Sequence, residues 1–361
     1  ITAKRYQDVN FPSSTSENTW QEAFDYFKLN PPQKIDPSLL APSEKYDILV
    51  GDDAFTLTNL SWAEGKMYND EKGDVESWMG ICHGWAPASY MEPRPTHTIQ
   101  VPSYNPSFKK NIEFRPDDIK ALISLKWANG INVTPDYQSG ATRFVGGRCN
   151  VENPEKDTET GRIIDPACFD LNPGLWHVIV TNHIGQTKRP FVIDASYDLE
   201  VWNQPLVSFS YSYFNPKDLE YVDDLHSARV RLDDPEFTDK FAKFRNNKLA
   251  VEIVGIAMDI EYVVETSPDG AITDSALNDR TRKAKYHYDL ELDQSGRIIG
   301  GEWYQNKHPD FIWTPIQNSV AVNQEDLYNL TDSLVPQVAP TASRSRVPLR
   351  YVLNKLLDNF R

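Results

Sequence analysis

Helical and strand-like periods divide the chain unevenly. Thr19-Trp20-Gln21-Glu22-Ala23-Phe24-Asp25-Tyr26-Phe27 has helical spacing and stops before Pro31-Pro32. Pro116-Asp117-Asp118-Ile119 opens a second helix with proline and two acids in its first turn. Leu122, Ile123 and Trp127 form its expected inner face, and Gly130 its stop. From about residue 175 the period becomes strand-like. Trp176 to Asn182 and Pro190 to Tyr197 are β-rich runs around the turn-like Gly185-Gln186-Thr187, which predicts a hairpin. Ala250 to Glu265 is a longer apolar and alternating run. Lys285 to Leu292 and Arg297 to Tyr304 flank Asp293-Gln294-Ser295-Gly296, a four-residue hairpin loop. Val335 to Ser343 is linker-like. After Pro348, residues Leu349, Val352, Leu353, Leu356, Leu357 and Phe360 share one helical stripe. That stripe suits docking on the protein's own core, or contact with a second subunit.

These elements predict an α+β protein. Residues 1–320 form one expected catalytic region, with 1–75 a Pro- and Ser-rich extension packed on it, and 321–361 hold a linker and the C-terminal amphipathic helix. A chain of 361 residues buries roughly three-quarters of its unfolded surface and needs neither metal nor disulfide merely to fold. Twenty-five prolines point to extensive loops. No apolar run approaches the ~20 residues of a membrane-spanning helix. The balance of 37 basic against 52 acidic residues, net −15, excludes a nucleic-acid partner, because an acidic surface repels phosphate backbones. Its first reading is a solubility or salt adaptation of the source; it also favours cationic partners, amines included.

The three cysteines narrow the chemistry. Cys149 and Cys168 bracket the polar segment Asn150 to Ala167, and a bridge between them closes a ring of about 20 residues. Such a bridge implies an oxidising setting, secreted or at a cell surface. Three reduced thiols in a cytosolic protein are the alternative. Cys82 is left over, which marks it as a reactive thiol. It sits in Trp78-Met79-Gly80-Ile81-Cys82-His83-Gly84-Trp85-Ala86-Pro87-Ala88-Ser89-Tyr90. Gly80 and Gly84 allow close approach to a ligand. Pro87 is tolerated in a first turn, so a helix is expected to start near Gly84, with Cys82 at its N-terminal end. There the helix dipole and free N–H groups favour the thiolate. The N–H of Cys82 and the indole of Trp78 are the candidate oxyanion donors.

A nucleophilic cysteine needs a base and an orienting group. His83 adjoins Cys82 on the chain but projects about 100° away on a helix. His177 lies in the predicted 176–197 hairpin, where it faces Ala195 or, one register away, Asp194. Directly opposed side chains are about 5 Å apart, so Asp194 is expected to take the Nδ1 proton of His177. His183 faces Arg189 or Pro190 and finds no carboxylate; Asp198 and Glu200 are alternative orienters. The chain order Cys82, His177, Asp194 is shared by papain-like peptidases and transglutaminases. The acid pairs Asp52-Asp53, Asp223-Asp224 and Asp233-Asp234 lack the spacing of a Ca²⁺ loop and read as solvated surface. No metal ligand is assigned.

Several segments resemble the transglutaminase elicitor family, known from oomycete cell walls and marine bacteria. They are Gly80-Ile81-Cys82-His83-Gly84-Trp85 with Ala88-Ser89, Asn172-Pro173-Gly174 before Trp176-His177, and Tyr197-Asp198-Leu199-Glu200-Val201-Trp202-Asn203-Gln204-Pro205. Gly300-Gly301-Glu302-Trp303 with His308-Pro309-Asp310-Phe311 also looks familial. The resemblance implies a protein-glutamine γ-glutamyltransferase with a Cys82-His177-Asp194 triad, assisted by Ca²⁺ though needing no cofactor for the chemistry itself. It also implies a papain-like core: a helix carrying Cys82 packed on an antiparallel sheet carrying His177 and Asp194, with extensive loops and added hairpins. Partners would be glutamine- and lysine-bearing proteins or small primary amines. A secreted cysteine peptidase or glutamine deamidase uses the same triad with water as second nucleophile. A non-enzymatic surface protein is the third possibility, in which Cys82 is buried away from any base.

Overall fold

A computed structural model describes residues 36, 39–73, 79–103, 108–133, 142–168, 171–197, 199–245, 248–322 and 350–361. The helix expected at 19–27, Trp78, Asp198 and the 335–343 linker lie outside these residues. The chain divides into two units. One comprises Ile1–Ala141, Thr266–Asn278 and Pro315–Arg361, the other Thr142–Glu265 and Asp279–Thr314. The chain leaves the first unit after Ala141 and re-enters it at Thr266 and again at Pro315.

The first unit contains helices α1 (Pro42–Val50), α2 (Thr56–Lys72), α3 (Cys82–Met91) and α4 (Pro116–Asn129), with the strand pair β1 (Ile99–Pro102) and β2 (Asn111–Phe114). Helix α4 begins as its sequence dictates. Pro116 opens it, and the Asp118 carboxylate accepts the Arg115 N–H at 2.8 Å. Leu122, Ile123 and Trp127 are buried on its inner face. The first turn of α2 is capped from a distance: Asp47 accepts from the N–H groups of Leu57 and Thr58 at 3.2 and 3.0 Å. Lys45 is buried because Asp118 takes its ammonium at 2.6 Å. The C-terminal helix Arg350–Leu357 buries Val352, Leu353, Leu356 and Leu357 in this unit's core, and Phe360 packs against it. Its apolar stripe therefore docks on the protein's own core.

The second unit is built on an antiparallel sheet. In chain order its main strands are β3 (Thr142–Gly146), β4 (Phe191–Asp194), β5 (Asn203–Phe214), β6 (Glu252–Val264), β7 (Arg280–Leu292), β8 (Ile298–Gly300) and β9 (Phe311–Pro315). They lie in the order β8-β7-β6-β5-β4-β9-β3, and two short strands, Tyr221–Val222 and Arg229–Arg231, add to β5 and β6. The register sets Tyr211 opposite Met258 and Met258 opposite Tyr286. Side chains alternate along a strand, so Phe209, Tyr211 and Tyr213 share a face with Ile256, Met258, Tyr286 and Tyr288. Ser208, Ser210, Asp259, Glu261 and Lys285 occupy the other face. The β7–β8 hairpin turns at Asp293 to Gly296 as expected; the Asp293 carboxylate accepts the Ser295 N–H at 2.8 Å and Gly296 adopts φ 76°.

One expected element is overturned. Residues 176–182 are not a strand: Pro173–Val180 form helix α5, and Thr181–Gln186 continue it as a π-helix. Asn172 caps the start, accepting from Gly174 N at 2.9 Å and Leu175 N at 3.3 Å, and Pro173 occupies the first helical position. Trp176, Val180 and Ile184 are buried at four-residue spacing, while Leu175 and Val178 are exposed. The cap and the helical stripe outweigh the β-branched content of Val178-Ile179-Val180-Thr181. The sheet thus carries Asp194 but not His177, which corrects the arrangement expected for the core.

Truncating a central side chain of the C-terminal stripe tests its docking. Leu353→Ala is expected to destabilise the first unit by about 2–5 kcal/mol in thermal or urea unfolding. An unchanged midpoint would show that the stripe is not part of that core.

Candidate active site

Cys149 and Cys168 form a disulfide, so Cys82 is the one cysteine of the sequence outside it. It is partly exposed and is the first residue of α3. The helix thus begins two residues earlier than expected, and Pro87 is its sixth residue. Lacking an N–H, Pro87 cannot bond back to the His83 carbonyl. Gly84 has a packing role rather than the ligand-approach role expected of it. A Cβ there would lie 2.2 Å from the Ser124 carbonyl oxygen and 2.7 Å from Ala128 Cβ, so α3 crosses α4 at this point only without a side chain. Gly80 has open space around it. The His83 ring bonds to the backbone of Ala128, which turns it toward α4.

His177 and Asp194 both belong to the second unit, and Cys82 to the first. Within the second unit the expected His177–Asp194 pairing does not form. Nδ1 of His177 lies 2.8 Å from the Tyr288 hydroxyl, and its ring meets Tyr211 edge-on at 5.3 Å. Asp194 instead closes the loop after β4. It accepts from Ser196 N and Oγ at 3.2 and 2.8 Å and from Trp202 N at 2.9 Å. Asp194 is in register with Asn203, whereas Tyr211, the ring that meets His177 edge-on, lies eight residues further along β5. Burial alone pushes His177 down to about 4, with no carboxylate opposing it. Glu200, the other proposed orienter, accepts from the Trp202 indole at 2.7 Å.

His183 lies in the π-helix, edge-on to Phe191 at 5.8 Å. Burial, reinforced by the Arg143 and Arg189 guanidiniums, holds its ring below the usual histidine range. His308 is fully enclosed and stacks on Trp303 at 4.6 Å; burial pushes it down to about 4. Asp310 accepts the Cys149 N–H at 2.9 Å, so the His308-to-Phe311 segment braces the disulfide. Asn203 Oδ1 accepts from the Trp313 indole at 2.7 Å, and the Gln204 amide donates to Glu265 at 2.8 Å. Tyr288 was not singled out by sequence. Its alternation along β7 places it on the core face, but only the helical state of residues 173–180 brings His177 to it.

The acidic pairs are engaged structurally. Asp52 accepts from Ala54 N and Thr56 N, Asp224 from Ser227 N, Asp233 pairs with Arg231 and Asp234 with Lys217. Among the described residues no group of three or more histidine, cysteine or acidic side chains stands where it could hold a metal ion.

Residues 59–323, most of the chain, match the transglutaminase elicitor family. The protein belongs to this family. The family segments legible in sequence accordingly include the Cys82 helix, the Asn172 cap and the β4–β5 loop. The crystal structure of the GP42 transglutaminase from Phytophthora sojae is similar, with TM-score 0.59 and 21% identity over 98% of this chain and 90% of that one. At that identity the likeness is one of fold, and it supports the α+β architecture. No curated protein matches the chain. Among the described residues no helix is long and apolar enough to cross a membrane.

Two outcomes are expected. Gly84→Ala gains at most about 1 kcal/mol of helix propensity but forces the Ser124 carbonyl away, at a cost of about 1–3 kcal/mol or more. Net destabilisation in urea unfolding is the result; a stabilised variant would refute the close crossing. The second concerns pH. His177 and His308 sit at about 4 in the folded protein against about 6.5 when unfolded. Between those values the unfolded state binds more protons, so stability is lost as pH falls, by up to about 1.4 kcal/mol per pH unit for each ring. The urea midpoint should drop on going from about pH 7 to about pH 5, and less steeply in His177→Gln. Equal slopes in both proteins would contradict the burial of His177.

Proposed function

We propose that the protein is a protein-glutamine γ-glutamyltransferase that forms isopeptide crosslinks through a thioester on Cys82. The supporting observation is the single cysteine outside the disulfide, partly exposed at the first turn of a helix, in a member of the transglutaminase elicitor family.

His177 takes the proton of the Cys82 thiol as the sulfur attacks the γ-carboxamide carbon of a protein glutamine. The C–N bond breaks, His177 gives its proton to the departing ammonia, and a thioester remains. A lysine amine, or a small primary amine, then attacks the thioester carbonyl. His177 removes the amine proton, the C–S bond breaks, and the thiol is restored. The backbone N–H of Cys82 is the proposed donor to the oxyanion. Asp194 takes a different part from that expected: it shapes the loop that leads into Trp202, Asn203 and Gln204. No step is routed through a metal. The disulfide supports a secreted or cell-surface setting, and the net charge of −15 suits a cationic lysine-bearing partner.

Ammonia release and incorporation of a fluorescent primary amine into a glutamine-bearing protein test this assignment. Cys82→Ala and His177→Ala should each lose roughly 10³-fold or more in rate. Retained incorporation in Cys82→Ala would overturn it. Ammonia release by the unaltered protein without amine incorporation would point to a deamidase instead.

A further inference from the structure

His177 has lost the carboxylate that its role as base leads one to expect, and something else must decide which ring nitrogen carries the proton. The neighbouring group is Tyr288, fully buried, with its hydroxyl 2.8 Å from Nδ1. A hydroxyl has one proton to donate and two lone pairs to accept with. The Tyr288 proton has a second acceptor: the sulfur of Met258, also fully buried, at 3.8 Å. Met258 and Tyr288 lie on the same face of adjacent strands, two residues apart in register, since Tyr286 is the residue directly opposite Met258. The sheet itself therefore holds the sulfur and the phenol in place.

We propose that Met258 and Tyr288 are positioning residues that set the tautomer of His177. The phenol donates its proton to the sulfur and accepts the Nδ1–H of His177, which leaves Nε2 unprotonated and ready to take a proton from a thiol or an amine. The arrangement does the orienting part of an aspartate's work without a buried negative charge. It rests on His177 being the proton carrier, but the hydrogen-bond direction can be measured without any turnover.

The opposite direction is chemically distinct. If the phenol donated to Nδ1, the ring would carry its proton on Nε2 and would present a donor, not a base. A Met258→Leu change separates the two. It keeps the buried volume, so the fold should be retained, but it removes the sulfur acceptor. The phenol proton then turns to Nδ1 and the ring switches to the Nε2–H form.

Histidine-selective ¹⁵N labelling reads the tautomer directly, with His177→Gln used to assign the signal. The unaltered protein at neutral pH should show protonated Nδ1 and bare Nε2. Met258→Leu should shift toward protonated Nε2 and lower kcat for amine incorporation by roughly tenfold or more, with little change in KM. Tyr288→Phe should give a mixture of tautomers. A protonated Nε2 in the unaltered protein would overturn the proposal, as would a Met258→Leu protein with tautomer and kcat unchanged, or with the tautomer switched and kcat unaffected. If the unaltered protein shows bare Nε2 but no amine incorporation, the transferase assignment falls while the hydrogen-bond direction stands.

Discussion

The seating of α5 on the sheet of the second unit depends on a close backbone approach between Gly174 and Gly300. A Cβ on Gly174 would sit 2.5 Å from the Gly300 carbonyl oxygen, so only glycine lets α5 come this near to β8. Two family segments far apart in sequence, Asn172-Pro173-Gly174 and Gly300-Gly301, meet at this point. With the helix seated so closely, Trp176 enters the core among Phe191, Tyr286 and Trp303. The next residue, His177, is carried down onto Tyr288. The environment of the histidine thus depends on a glycine contact three residues upstream.

Charge is treated strictly in this interior. Arg245 is buried, and its guanidinium is held by Asp289 at 2.5 and 2.7 Å, by Asp239 at 3.0 Å and by Glu291. Those partners hold it charged despite burial, with the coulombic pull of Asp289 the largest favourable effect. His177 has no such partner and stays neutral for the same reason that Arg245 stays charged: burial penalises an ion unless an opposite charge compensates. A neutral imidazole with a phenol on one nitrogen follows from the packing. In the buried pair Lys45–Asp118 of the first unit, burial raises the Asp118 carboxyl and the Lys45 ammonium offsets that only in part.

Much of the fold was legible where local signals agreed. Pro116 with Asp118, the stripe from Val352 to Phe360 and the Asp293–Gly296 turn each combined periodicity with a cap, proline or turn residue, the run to Glu265 was long enough to stand on its alternation, and each was found. Residues 173–186 show the opposite case. Their β-branched run argued for a strand, while the Asn172-Pro173 start and the spacing of Trp176, Val180 and Ile184 argued for a helix. Reading the run before the cap misassigned the element, and the expected Asp194 pairing fell with it, because the hairpin register existed only if both arms were strands. The role of Gly84 was misjudged for a related reason: sequence shows that a glycine is needed but not what comes close to it.

The sequence by itself determined the candidates for chemistry: one thiol left over by the Cys149–Cys168 bridge, placed at a helix start, within segments of a recognisable family. Those are properties of residue type and local order, which neighbours on the chain decide. Only the tertiary structure decided the company His177 keeps. Tyr288 and Met258 are 111 and 81 positions further along the chain, and strand pairing and helix packing alone bring them to it. Assembly of the units likewise depended on returns of the chain at 266 and 315 that no local pattern announces. Contacts between distant segments are selected by the packing of the whole sheet and its helix, and a linear pattern does not encode which of its aromatic residues will meet which imidazole.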